Sequence, residues 1–209
     1  MEKWSTLSHG NSLKFTTPLP KKSDLDLISS PGSKVLDLGC GYGRVLDSLY
    51  KNGFRDLTGV DISYNFISQA KKICPKARYF VQDIEAISLE EKFDLILLMG
   101  VIEYIITDRR QEDFFCKVSS LLNNDGHVFL ETFTFDLGSN WKNYMFGFLK
   151  TAHWGRFTNS VGIDCHHQSI GFLSNILNKY FRVVEVRKER FVTWSNNFCN
   201  GYTIILEKK

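Results

Sequence analysis

The sequence predicts an α/β fold in which a mostly parallel sheet carries helices on both faces. Apolar runs of strand length alternate with segments of helical periodicity through most of the chain. This alternation is typical of parallel strands joined by crossover helices. The chain has 209 residues, of which 43% are apolar and 23% charged, and it can therefore bury one substantial core. We expect a single domain over residues 1–209.

The first half of the predicted sheet contains three strands, each followed by a helix or a turn. Lys34–Leu38 is the first buried strand, and Leu57–Asp61 is the second. After the second strand, Ser63 can cap a helix that Pro75 ends. Ala77–Gln82 makes the third strand. The order of these elements is that of successive βα units.

The second half begins with Phe93–Met99, which is apolar enough to be a central strand buried on both faces. A helix lined by Phe114–Leu122 precedes Asn123–Gly126, a predicted turn, and the strand His127–Phe133. The last elements are a helix with an apolar face over Ile170–Leu177 and two strands, at 181–191 and 202–207, that can pair antiparallel across Ser195–Asn200.

Two segments fall outside this alternation, residues 1–22 and residues 134–165. We interpret the first as an N-terminal cap segment. The second is crowded with aromatic side chains, a composition suited to packing against apolar groups. It can form a small extra core that closes over the sheet, a lid over an acceptor site, or both.

Composition and charge exclude several classes of protein. The formal net charge is only +3 and basic residues form no run longer than a pair, which disfavours a nucleic-acid partner. Five cysteines without CxxC spacing argue against a disulfide framework or a structural zinc site and favour a reducing cytoplasm. The polar start and the lack of a long apolar run predict neither a secretion signal nor a membrane partner.

The stretch VLDLGCGYG, residues 35–43, passes from a buried strand into a helix through three glycines. In open α/β sheets, ligands bind at the carboxyl ends of the strands, so this first turn is the expected cradle. Asp37 precedes the turn, Asp61 closes the second strand and Asp83 follows the third. A carboxylate in the second position can accept hydrogen bonds from both ribose hydroxyls, and one in the third can reach an adenine amino group.

The segments VLDLGCGYG, GVDIS, VQDIE, FDLILLMGVIEYI and LLNNDGHVFLET, in this order, resemble the class I S-adenosylmethionine-dependent methyltransferases. The resemblance covers residues 33–133. It implies a Rossmann-like, seven-stranded mixed sheet of six parallel strands and one antiparallel strand. It also implies S-adenosyl-L-methionine as cofactor.

The resemblance also assigns residues to the parts of that cofactor. Asp37, Gly39, Cys40 and Gly41 would surround its methionine part, with Gly43 at the start of the following helix. Asp61 would hold the ribose. The adenine would lie against Ile62, Asp83 and Ile84, and the floor near the sulfonium would be Met99 and Gly100. Several acids and no Lys or Arg within the turn suit a cationic sulfonium better than a pyrophosphate, which disfavours a nicotinamide dehydrogenase with its GxGxxG spacing.

Methyl transfer is an in-line displacement, so holding the acceptor opposite the leaving sulfur matters more than a general base. Candidate catalytic residues lie on loops that open on the cofactor face: Glu103, Tyr144, His166 and His167. The run Asp164–Gln168 contains metal-ligand types, but consecutive residues cannot wrap one ion, and we predict no metal site. We expect this run to start the last helix instead.

The sequence thus predicts a cytoplasmic methyltransferase that acts on oxygen or nitrogen of a small molecule or short peptide. Methylation of protein or RNA is disfavoured by the near-neutral charge. A third possibility is an S-adenosylmethionine-binding sensor or partner subunit that has lost catalysis, because the sequence alone does not identify any residue as catalytic.

Overall fold

The computed structural model describes residues 18–135, 141–159, 162–192 and 198–209. In these ranges the strands are β1 (Lys34–Leu38), β2 (Asp56–Asp61), β3 (Arg78–Val81), β4 (Phe93–Met99), β5 (Leu122–Phe133), β6 (Arg156–Thr158), β7 (Asp164–His166), β8 (Phe181–Val192) and β9 (Phe198–Lys208). The helices are α1 (Lys22–Ile28), α2 (Arg44–Lys51), α3 (Tyr64–Ile73), α4 (Asp108–Leu121), α5 (Trp141–Thr151) and α6 (Ile170–Tyr180). Short 3-10 turns lie at Ile84–Ala86 and Ile102–Tyr104.

Seven strands form one sheet in the order β3-β2-β1-β4-β5-β9-β8. The pairs from β3 to β5 are all parallel, whereas β9 is antiparallel to both of its neighbours. Six strands therefore point the same way and β9 points the other way, which confirms the predicted sheet. The order reverses next to β1, so the turn that follows β1 lies at the topological switch point.

A hydrophobic core lies on each face of the sheet. On one face α4 and α6 pack over apolar side chains from β1, β4, β5 and β9. On the other face α1, α2 and α3 pack over the intervening side chains of the same strands, such as Val35, Leu95 and Leu97. Strands buried on both faces explain why β1 and β4 have nearly continuous apolar sequences.

Ser63 has the structural role that the sequence predicts for it, whereas Asn123–Gly126 differ from the prediction. Ser63 caps α3, its hydroxyl accepting a hydrogen bond from the Phe66 N–H at 3.3 Å. The predicted turn at Asn123–Gly126 is wrong, since these residues belong to β5 and are absorbed by a register shift opposite Phe93 and Leu95. The Asn123 amide is held there by Asp94 at 2.6 Å. Within the described ranges no helix is long and apolar enough to cross a membrane.

The aromatic-rich segment forms α5 and the β6–β7 hairpin, which we call the lid layer. The expectation that Asp164–Gln168 starts the last helix is wrong: β7 pairs antiparallel with β6, and α6 begins after its cap Ser169. β7 also contacts the turn Ile102–Tyr104 that follows β4. The lid layer therefore lies at the same end of the sheet as the glycine turn. Residues 1–17, most of the predicted cap segment, lie outside the described residues.

Gly147 is the tightest contact inside the lid layer. A β-carbon at this position would overlap the carbonyl oxygen of Arg156, so α5 can approach β6 only through a glycine. We predict that Gly147→Ala destabilises the protein by about 1–3 kcal/mol, because the backbone of β6 must move. The measurement is chemical unfolding, with hydrogen exchange of 141–159 as a local readout.

The control is Gly171→Ala in α6, where a β-carbon meets nothing within 4 Å. Alanine normally stabilises a helix by up to about 1 kcal/mol relative to glycine, so this variant should be neutral or slightly more stable. Equal effects of the two substitutions would contradict the assigned packing of α5 on β6.

Candidate cofactor and acceptor site

The glycine turn between β1 and α2 is shaped by positive backbone angles. Gly39 and Gly41 have φ of 79° and 53°, values that side-chain-bearing residues rarely adopt. The N–H groups of Gly39 and Cys40 donate to the carbonyl of Val60 at 2.8 and 3.0 Å. The turn is thereby fixed against the end of β2.

The side chain of Asp61 also fixes the glycine turn. Its two carboxylate oxygens accept hydrogen bonds from the backbone N–H groups of Gly41 at 2.9 Å and Ser63 at 2.8 Å. Burial raises the pKa of this carboxyl, and the two N–H donors oppose that rise. Each oxygen can accept a second bond, so Asp61 can hold the turn and still bind hydroxyl groups of a ligand.

Asp37 is a buried acid of the site with an oxygen that is unpaired within the described ranges. It is 2% exposed, and its Oδ2 has no hydrogen-bond partner among the described residues. Burial raises its pKa to about 7, Arg44 opposes the shift and Asp61 adds to it. A buried acceptor without a donor costs about 1–3 kcal/mol. A cationic or N–H-bearing ligand group beside Asp37 would remove that cost, so the residues present fit the amine and sulfonium of the expected cofactor.

The predicted adenine contacts lie at the ends of β2 and β3. Asp83 is half-buried, and one of its oxygens accepts from the Glu85 N–H at 3.0 Å, which caps the turn Ile84–Ala86. Asp83 is thus a structural cap, as acids at strand ends often are, and still has a free acceptor position. Ile62 and Ile84 are also half-buried, and Ile84 packs against the core. Their assignment to adenine stays a prediction.

The predicted floor of the site is the end of β4. Met99 pairs in register with Glu131 of β5, and the N–H of Gly100 donates to the Glu131 carbonyl at 2.9 Å. Cys40 is buried in the glycine turn, and burial raises the pKa of its thiol, which stays protonated. In the resemblance, Met99 and Gly100 line the floor near the sulfonium and Cys40 lies beside the methionine part, and both placements remain predictions.

Glu103 connects the loop after β4 to the end of β5. It is buried, its Oε1 accepts from the Phe133 N–H at 2.6 Å, and its Oε2 has no partner among the described residues. Burial raises its pKa to about 7, which the Phe133 N–H partly opposes. The side chain therefore joins the turn after β4 to the end of β5.

Tyr144 and His167 form a buried pair under the lid layer. The Tyr144 hydroxyl lies 2.8 Å from His167 Nδ1, and the imidazole stacks on Phe133 with a centroid separation of 5.6 Å. Phe157 meets the same imidazole edge-on at 4.9 Å. Burial lowers the pKa of His167 to about 3, and His166 adds to the effect. The imidazole is neutral at physiological pH and belongs to an aromatic core.

His166 faces a more polar environment. Its Nδ1 lies 3.3 Å from the Gln168 amide and 3.8 Å from an Asp108 carboxylate oxygen. Burial lowers its pKa to about 4, and Arg156 acts in the same direction while Asp108 opposes it. The described residues contain no group of three or more His, Cys, Asp or Glu side chains placed to hold a metal ion. The structure thus brings His166, His167 and Tyr144 together, without exposing any of them widely.

Sequence reasoning missed a charged cluster beside the site. Arg187 of β8 binds Asp24 of α1 through two hydrogen bonds of 3.0 and 2.5 Å and also binds Glu185. Burial raises the pKa of nearby Glu131 to about 8, which Arg44 opposes, while its Oε2 has no partner in the described ranges. Asp24 and Arg187 are far apart along the chain, so no local pattern could have paired them.

Comparison with known proteins agrees with this geometry. Residues 35–126 match the family described as methyltransferase domain. The ubiquinone biosynthesis O-methyltransferase of Coxiella burnetii is 28% identical over 148 residues, which cover 68% of this chain and 60% of that relative. The corresponding protein of Pelagibacter ubique is 35% identical over 118 residues, 54% of this chain and 45% of that one. The match to the first of these relatives thus spans 60% of its length.

Solved structures show the same fold. A SAM-dependent methyltransferase from Methanosarcina mazei superposes with a TM-score of 0.83 at 21% identity, covering 91% of this chain and 99% of the other. An N-methyltransferase from Bradyrhizobium japonicum in complex with S-adenosyl-L-homocysteine has a TM-score of 0.63 at 16% identity, covering 85% and 79%. The fold is that of the Rossmann-like methyltransferases. The chain thus has the fold of proteins named as S-adenosylmethionine-dependent methyltransferases, and its residues 35–126 are similar to their methyltransferase domain.

Asp37 should make the ligand-free protein less stable as pH rises. Its native pKa of about 7 exceeds the ordinary value of 3.8, so the native state holds this proton more tightly than the unfolded state. Stability from this group is therefore present at low pH and lost between about pH 4 and 7. We predict that the stability of Asp37→Asn relative to the parent increases by about 3 kcal/mol between pH 4.5 and pH 8.

Denaturant unfolding of both proteins at the two pH values measures this difference. A stability difference that does not change with pH would contradict the assigned burial of an ionisable Asp37 carboxyl.

Proposed function

We propose that the protein transfers the methyl group of S-adenosylmethionine to oxygen or nitrogen of a small molecule or short peptide. The observation that carries this proposal is the buried, unsatisfied carboxyl of Asp37 beside the glycine turn. Such a group suits a cationic ligand, and Asp61 at the neighbouring strand end supplies acceptors for a ribose. Neither acid suits a phosphate.

In this proposal each residue of the site has one task. Asp37 would hold the amine of the methionine part, Asp61 the ribose hydroxyls and Asp83 the adenine amino group. Ile62 and Ile84 would cover the adenine, and Met99 and Gly100 would exclude water from the reacting centre. When bound, the cofactor supplies an electrophilic methyl group on a positively charged sulfur. The contribution of the chain is to orient the acceptor in line with that methyl group.

Proton removal is not the main contribution of the chain. His166 and His167 have lowered pKa values and little exposure, and Tyr144 is committed to His167. Glu103 retains one unpaired buried oxygen and a pKa near 7, which is suited to accept a proton at neutral pH. Among the four predicted catalytic residues, Glu103 is therefore the best placed to act as a base.

The proposed acceptor is small, and the segment 134–165 would cover it. The support is the contact between β7 and the turn Ile102–Tyr104, together with the low net charge. The proposal includes both oxygen and nitrogen acceptors, because the relatives are named as O-methyltransferases and a structural neighbour is named as an N-methyltransferase. We include in the proposal a single domain over 1–209 and a cytoplasmic site of action, the latter in keeping with five free cysteines.

A second function is favoured by a specific observation. All four predicted catalytic residues are buried, and each has at least one hydrogen-bond or close polar contact to protein. A cofactor-binding sensor or partner subunit would have this property. Calorimetry with S-adenosylmethionine followed by methyl-transfer assays on acceptor panels separates the two. Tight binding without turnover on phenol, carboxylate, amine and short-peptide acceptors would favour the sensor.

The Asp61 side chain provides a direct test of cofactor binding. We predict that Asp61→Ala weakens S-adenosylhomocysteine binding about tenfold or more, because it removes the ribose acceptors and releases the N–H of Gly41. The matched control is Asp56→Ala, at the opposite end of the same strand, where the carboxylate makes a surface contact with Arg78 at 3.3 Å.

Isothermal titration calorimetry measures both affinities, and circular dichroism checks that both variants are folded. Unchanged affinity in Asp61→Ala, or equal losses in the two variants, would contradict the assigned role of Asp61.

A further inference from the structure

The lid layer carries an apolar surface that is exposed to solvent. We call this surface the outer face. It consists of four side chains of α5 and one from the residues after it, with exposed fractions given in order: Trp141 48%, Met145 41%, Phe146 67%, Leu149 72% and Trp154 49%. Contiguous apolar surface of this kind is typical of a docking site.

The opposite side of α5 is already used for packing. Tyr144 and Gly147 are buried against the hairpin, and Phe148 stacks on Trp154 with ring centroids 4.4 Å apart. Apart from Trp154, the side chains of the outer face are therefore not part of the core of the lid layer. A surface helix normally presents polar residues to water, whereas this helix also exposes four large apolar side chains.

The charged side chains of α5 are all basic. From Trp141 to Phe157 the sequence contains Lys142, Lys150 and Arg156 but no Asp or Glu. Both lysines are exposed, and neither makes an ion pair with any described residue. The carboxylate of Asp164, on the neighbouring strand, accepts a hydrogen bond from Thr158 at 2.8 Å. The apolar strip is thus flanked by uncompensated cations.

We propose that the outer face docks α5 flat on an anionic lipid surface. Aromatic and aliphatic side chains would enter the interface, and Lys142 and Lys150 would contact the headgroups, which is the arrangement of interfacial amphipathic helices. A two-fold contact between copies of this chain is less suitable, because it would bring the same cations together. An 11-residue helix is about 16 Å long, too short to span a bilayer, so the helix lies on the surface.

This inference concerns binding and does not rest on the proposed function. It does not conflict with the lack of a spanning helix in the described residues, since surface docking needs none. In this arrangement the lid layer, which contacts the turn Ile102–Tyr104, would lie at the membrane surface.

Vesicle flotation tests the proposal with the full chain. Vesicles of phosphatidylcholine alone are compared with vesicles that also contain phosphatidylglycerol. We expect binding to the anionic vesicles that decreases at high salt. The double variant F146S/L149S should lose at least tenfold in partitioning, since two exposed apolar side chains that would enter the interface are removed. The matched control L27S/F80S removes an exposed leucine and phenylalanine elsewhere and should bind as the parent does.

Substitution of Lys142 and Lys150 tests the electrostatic contribution to vesicle binding. The variant K142Q/K150Q should lose about fivefold per lysine on anionic vesicles and nothing on neutral ones. Circular dichroism and S-adenosylhomocysteine binding show that each variant is folded. If the parent binds the cofactor but not the vesicles, the membrane inference is overturned and the proposed function is not.

Three outcomes would overturn the proposal. The first is no binding of the parent to anionic vesicles. The second is equal loss in F146S/L149S and L27S/F80S. The third is a dimer in sedimentation velocity that F146S/L149S abolishes, which would assign the outer face to a second copy of the chain.

Discussion

The carboxylate of Asp61 holds together the segments that form the candidate site. Its two oxygens accept hydrogen bonds from Gly41 in the glycine turn and from Ser63 at the start of α3. The turn is also bound to the carbonyl of Val60 in the same strand. Because all these groups lie at the carboxyl edge of the sheet, one side chain fixes the distance between β1, β2 and the helices that follow them. The relative position of the turn and of Asp61 is thus set by contacts within the chain.

The buried acids of this site lower the stability of the protein. Asp37, Glu103 and Glu131 are all buried with raised pKa values, and each has an oxygen without a partner among the described residues. A core optimised for stability alone would contain no such groups. Perturbed acids collected at one edge of a sheet are typical of functional sites, because a cationic ligand reverses the penalty.

Local signals in the sequence predicted the parts of the fold that local interactions decide. The glycines after β1 have the required positive φ, and Ser63 caps α3 through its own hydroxyl. The failures have non-local causes. Asn123 belongs to β5, where Asp94 binds its amide, and the carbonyl of Leu122 accepts from Lys208 at the other end of the chain. Asp164–His166 forms a strand because β6 lies beside it, which no periodicity in three residues can indicate.

The central claim is that the glycine turn, Asp37 and Asp61 form a pocket for an adenosyl sulfonium. A crystal structure of the protein with S-adenosylhomocysteine tests this claim most directly. The account predicts that the amine of the ligand lies within hydrogen-bond distance of Asp37 and the ribose hydroxyls within hydrogen-bond distance of Asp61. A ligand bound elsewhere on the molecule, with both carboxylates uncontacted, would contradict it.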